Sequence, residues 1–110
     1  MAEAELERAI RRYAAVRNRI AYEVREALAK HSELGDSHRA WREDIVPTLE
    51  ATLASTERAF EAGYLSYADV LNAKLIYIDG RRQFATLYYD FSQATARLEN
   101  AVGQELEARQ

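Results

Sequence analysis

The sequence predicts an all-α chain folded as a long antiparallel coiled-coil helical hairpin. Three observations predict it. The 110 residues contain one proline and four glycines, so long stretches run without a breaker. Apolar residues recur in alternating steps of three and four along both halves, the spacing of a coiled-coil seam. One short stretch, AGYLSYADVLNA at 62–73, sets a helix stop beside a helix start.

The first helix is predicted over residues 5–62. Its seam is Leu6, Ile10, Tyr13, Ile20, Val24, Ala27, Leu34, Trp41 and Ile45. Past Pro47 the seam shifts to Leu49, Leu53, Thr56 and Phe60. The extra residue in that spacing is a stutter, which unwinds a coiled coil locally. Pro47 has no N–H to donate, so a kink is expected beside it. Leu34-Gly35-Asp36-Ser37 has the form of a helix stop followed by a cap. A break at Gly35–Ser37 would give the alternative fold, a three-helix bundle. Ala27, His31, Leu34, His38 and Trp41 nevertheless stay in phase through it, which favours a continuous helix, since a loop resets the phase.

The turn is predicted at 63–66. Gly63 can take the left-handed conformation that ends a helix. Ser66 and Asp69 form a capping box in its Ser-x-x-acid form, with Leu65 and Val70 placed as a hydrophobic staple. The second helix is predicted over 67–103. Val70, Tyr77, Phe84, Phe91 and Leu98 recur every seven residues, and Ala73, Gly80, Leu87, Ala94 and Ala101 fill the positions between. Large residues thus alternate with mostly small ones, and Gly103 is the expected C-cap. At 1.5 Å per residue the first helix would span about 85 Å and the second about 57 Å. Some of the first helix would then lack an intramolecular partner. Val70, Leu71, Leu75, Ile76, Tyr77 and Ile78 point in almost every direction around the second helix. A helix apolar on several sides needs several neighbours, so self-association is expected.

Residues 1–110 read as a single helical hairpin domain. The hydrophobic pattern is already running at Leu6 with no capping residue before it, which reads as part of a longer protein. The chain is 48% hydrophobic and 30% charged with a net charge of -3, unlike a disordered tail or a membrane-embedded segment. Its Arg-rich start is diluted by Glu3, Glu5, Glu7 and Glu23, so no nucleic-acid footprint is expected. No stretch approaches the roughly 18 apolar residues of a membrane-spanning helix. With no cysteine there is no disulfide and no thiolate metal site.

Chemistry is sparse. His31 and His38 lie seven residues apart on one face, about 10 Å along the helix, whereas helical metal-binding pairs sit three or four apart. Polar residues tolerated on the seam are the plainer reading. Tyr88 and Tyr89 suit packing at an interface. No nucleophile–base arrangement, phosphate loop, metal site or cofactor site is legible, and the chain is not expected to be an enzyme.

Three phrases carry a family resemblance: IAYEVREAL (20–28), IVPTLEATLASTERAFEAGYLSYADVLNA (45–73) and FSQATARLENAVG (91–103). The central one joins an aromatic residue before the glycine, a short turn and an acid-Val-Leu-x-Ala helix start. In these the chain resembles the last long helical hairpin of the outer-membrane efflux proteins, the TolC-like outer-membrane factors. Pro47 is in keeping with their metal-efflux branch.

The resemblance implies a trimeric channel with an outer-membrane β-barrel and a periplasmic helical tunnel. Its tip would open like an iris and dock a periplasmic adaptor (a membrane fusion protein) joined to an inner-membrane pump. This chain would be one periplasm-facing hairpin with no barrel sequence and no membrane span. By itself it could pair as a dimer. Carried over residue by residue, Gly63, Tyr64, Leu65 and Ser66 would be the turn that meets the adaptor. Asp69 and Asn72 would stand at the pore constriction, with only Asp69 charged. Phe60 and Leu65 occupy positions where some members hold a tyrosine–arginine lock. That lock cannot form between these two, which leaves apolar packing of Phe60 and Leu65 as the expected gate. Asp69 is equally expected as a plain capping acid. The alternative function is a free-standing coiled-coil interaction or scaffold module; a periplasmic metal-binding protein would rest on His31 and His38 alone.

Overall fold

The computed structural model describes residues 2–109, and among these every regular element is helical. Helix α1 (Ala2–Ala40) runs into a π-helical turn (Trp41–Ile45), which continues directly into α2 (Val46–Glu61). A short reversal leads to α3 (Tyr67–Arg109). These helices form two compact units: Leu34–Phe91, and the residues up to Glu33 with those from Ser92 on.

In the Leu34–Phe91 unit, Val46, Val70 and Gly80 are buried, with Leu34, His38, Trp41, Leu49, Leu53, Thr56, Ala73, Tyr77, Phe84, Leu87 and Phe91 half-buried around them. The predicted seam of the second helix is therefore the packed face. Gly35 does not break the first helix, because α1 passes through it. A Cβ there would stand 3.0 Å from the Phe91 ring, so this glycine seats an aromatic side chain. Gly80 plays the same part for Leu49, whose Cδ1 occupies the space a Cβ would need.

Next to Gly35, the His38 ring lies between two phenylalanines. Its centroid is 5.2 Å from Phe84 at an interplanar angle of 23° and 5.3 Å from Phe91 at 12°. Tyr88 adds a tilted contact at 5.7 Å. Such offset ring contacts explain how an imidazole is accommodated on an otherwise apolar seam.

Two sequence expectations change in this unit. Val46, not Ile45, is the packed residue: Val46 is 6% exposed and Ile45 37%. The stutter and the proline coincide with the π-helical turn, where the Val46 N–H donates to the Trp41 carbonyl five residues back. A π-helical turn widens the backbone just ahead of Pro47, relieving the contact between its ring and the carbonyl four residues earlier.

In the second unit Ile20, Ala94 and Ala101 are buried, and Val24, Ala27, His31 and Leu98 are half-buried. Leu6, Ile10 and Tyr13, expected on the seam, are exposed. The end of α3 explains this. Glu105, Ala108 and Arg109 share a surface cleft with Arg17, Ile20 and Ala21, so the described part of α3 ends level with that stretch of α1.

The predicted end near Gly103 is also corrected. Helix α3 continues to Arg109, and Gly63 is the one described residue with positive φ. Gly103 stays helical because the helix-forming residues beyond it extend the ladder, helped by an Arg109–Glu105 pair at 3.0 Å. Likewise the first helix already includes Ala2, ahead of the expected start at residue 5.

Candidate functional site

The predicted site residues gather at the reversal between α2 and α3, where two local motifs meet back to back. Ala62 ends α2, and Gly63 adopts φ 85°. The Tyr64 N–H donates to the Ala59 carbonyl at 2.9 Å and the Gly63 N–H to the Phe60 carbonyl at 2.9 Å. This pair of bonds is a Schellman motif, which satisfies carbonyls left over at a helix C-terminus.

On the other side Ser66 caps α3. One Asp69 carboxylate oxygen, Oδ2, accepts from the Ser66 N–H at 3.0 Å and from its hydroxyl at 2.9 Å. The Asp69 N–H donates back to Ser66 Oγ at 3.3 Å. The capping box is therefore complete, and the acid also lies favourably at the positive end of α3. The two residues between the motifs are open to solvent: Tyr64 is 84% exposed and Leu65 40%.

Phe60 is placed against Tyr67, with ring centroids 5.7 Å apart at an interplanar angle of 54°. Tyr67 is a residue that sequence reasoning missed. The signal was present: the two aromatics are the residues flanking the turn segment, one near the end of α2 and one at the start of α3. Leu65, Asp69 and Asn72 line one side of an open groove of about 250 Å³ whose other wall is Leu49, Thr52 and Thr56. The Thr56 hydroxyl donates to the Thr52 carbonyl at 2.8 Å, so one threonine of that wall is turned back onto its own helix. Leu49 and Thr56 of the α2 wall were expected as seam residues, whereas Thr52 was not singled out by sequence reasoning.

This arrangement offers shape, apolar surface and the Asp69 carboxylate. Among the described residues no group of three or more His, Cys, Asp or Glu side chains could hold a metal ion, and His38 is engaged with aromatic rings. Tyr22 is an acid–base group whose surroundings perturb it. Its hydroxyl donates to Glu26 at 3.0 Å, and that bond, followed by the carboxylate's charge, raises the phenol above its ordinary value. The pair is exposed and lies outside the turn. No described helix is long and apolar enough to cross a membrane.

One family model, described as outer membrane efflux protein, matches residues 1–104. No curated protein and no solved structure matches the chain significantly.

Proposed function

The chain belongs to the outer membrane efflux protein family, and from that premise we propose that it forms one periplasmic helical hairpin of a TolC-like export channel. The residues act together as a single hairpin domain of a larger outer-membrane protein, with the turn at the tip. Copies of the hairpin build the tunnel wall in a trimer. Gly63, Tyr64, Leu65 and Ser66 meet a periplasmic adaptor, which couples the channel to an inner-membrane pump. Phe60, Asp69 and Asn72 line the constriction.

The observation that carries this reading is the exposure of Tyr64 and Leu65 on a reversal whose backbone is held on both sides. A preorganised turn loses little entropy on binding, and an aromatic residue on such a turn is a suitable anchor for a partner. Asp69 can serve the cap and the pore together, because a ring of carboxylates at a constriction disfavours anions. Closure then rests on aromatic packing of Phe60 with Tyr67, beside Leu65.

None of these 110 residues is a cysteine, so no native thiol of the hairpin competes with an introduced one. Single cysteines placed at Tyr64 and at Leu65 in the intact channel, carrying a short photo-crosslinker, should capture the adaptor in cells. A cysteine at the exposed Tyr89 is the control. Capture at Tyr89 with none at the turn would remove the docking role.

A further inference from the structure

We propose that the π-helical turn Trp41–Ile45 is a phase-setting joint. It absorbs one residue that the seam carries in excess, and so decides which face of α2 packs against α3. The inference is independent of the export reading.

Before the turn the packed residues of the first arm are Leu34, His38 and Trp41, in steps of four and three. After it they are Val46, Leu49, Leu53 and Thr56, in steps of three, four and three. Between the two sets, Trp41 to Val46 is a step of five, where the alternation calls for four and hence for Ile45. The hydrogen bond that defines the wider turn joins these same two residues, from the Val46 N–H to the Trp41 carbonyl. The surplus residue and the extra backbone width therefore coincide.

The consequence reaches the tip. Each residue turns an α-helix by about 100°. Were the segment regular α-helix, Ile45, Thr48 and Thr52 would take the places of Val46, Leu49 and Leu53. Two threonines would then replace two leucines on the seam. The contact of Leu49 over Gly80, the Phe60–Tyr67 ring pair and the groove wall formed by Thr52 and Thr56 all depend on the phase set at this joint.

Pro47 is the competing cause, since its ring also favours a widened turn ahead of it. The two causes separate experimentally. In the full chain, Pro47→Ala should leave the Trp41–Ile45 turn in place, read by NMR from the i to i+5 amide pattern and from the continued burial of Val46. In the Pro47→Ala background, deletion of Asp44 should abolish the π-helical turn, keep Val46 packed and leave the melting temperature unchanged or higher. Insertion of one alanine after Asp44 in that background should lower it by at least several degrees, because a π-helical turn accommodates only one surplus residue. Regular α-helix with Ile45 buried in Pro47→Ala alone would overturn the proposal. So would a deletion variant that melts as low as the insertion variant.

Discussion

The two compact units pack their facing segments differently. In the Leu34–Phe91 unit, large side chains fill the space that glycines leave. Phe91 lies over Gly35, Leu49 over Gly80, and His38 between Phe84 and Phe91. In the other unit alanines share the inward side with Ile20, Val24 and Leu98. Ala27, Ala94 and Ala101 floor an open groove of about 480 Å³, rimmed by Glu26, Lys30 and Arg97. Four of the large apolar residues there, Leu6, Ile10, Tyr13 and Leu28, are exposed, while Ile20 is buried. Ion pairs such as Arg19–Glu23 at 3.8 Å and Lys30–Glu33 at 3.9 Å are exposed, and exposed pairs contribute little. Close packing of rings against glycines is accordingly a feature of Leu34–Phe91, while both units keep large apolar side chains exposed, Leu6 and Ile10 in one and Leu75 and Ile76 in the other.

The sharpest way to break this comparison is Phe91→Ala. The ring contacts His38 and sits at Gly35, and its loss should cost about 3 kcal/mol of unfolding free energy in urea, at the low end for a Phe truncation because the residue is only half-buried. A loss below about 0.5 kcal/mol, the size of a neutral surface change, would show that the aromatic cluster does not stabilise the unit.

A pair of glycine substitutions sharpens it next. Gly103 is helical with nothing within 4 Å of a new Cβ, so Gly103→Ala should stabilise by up to about 1 kcal/mol through helix propensity alone. Gly80→Ala gains the same propensity but drives Leu49 from its rotamer in a packed site. Overpacking there should outweigh the gain and leave a net loss of about 1 kcal/mol. Thermal melts of both variants check the opposite signs, and equal signs would mean that the units are packed alike.

The smallest expected effect is at Leu6. It is 61% exposed, so Leu6→Ala should change the stability of the monomeric chain by less than about 0.5 kcal/mol. A larger loss that appears only at high protein concentration would place Leu6 in a contact between copies.

Sequence reasoning reached the hairpin because its signals are local. Gly63, Ser66 and Asp69 specify the reversal through bonds that span at most five residues, and such bonds form wherever the chain carries those residues in that order. The heptad seam of α3 was legible for a similar reason, since one regular helix carries one unbroken period. Less of the candidate site could be read. Tyr67, the ring partner of Phe60, and Thr52 on the groove wall depend on how α2 is rotated, which no local pattern states.

The amino-acid sequence by itself determined the helices, the reversal and the surplus residue near Pro47. Only the tertiary structure decided how that surplus is used. Val46 rather than Ile45 is packed, and Gly35 is a seat for Phe91 rather than a break, because each depends on the side chain arriving from the other arm. The physical reason is range. Caps and periodicity are fixed by neighbours along the chain, whereas the choice between adjacent β-branched residues, or between a helix stop and a packing glycine, is made by close packing across it.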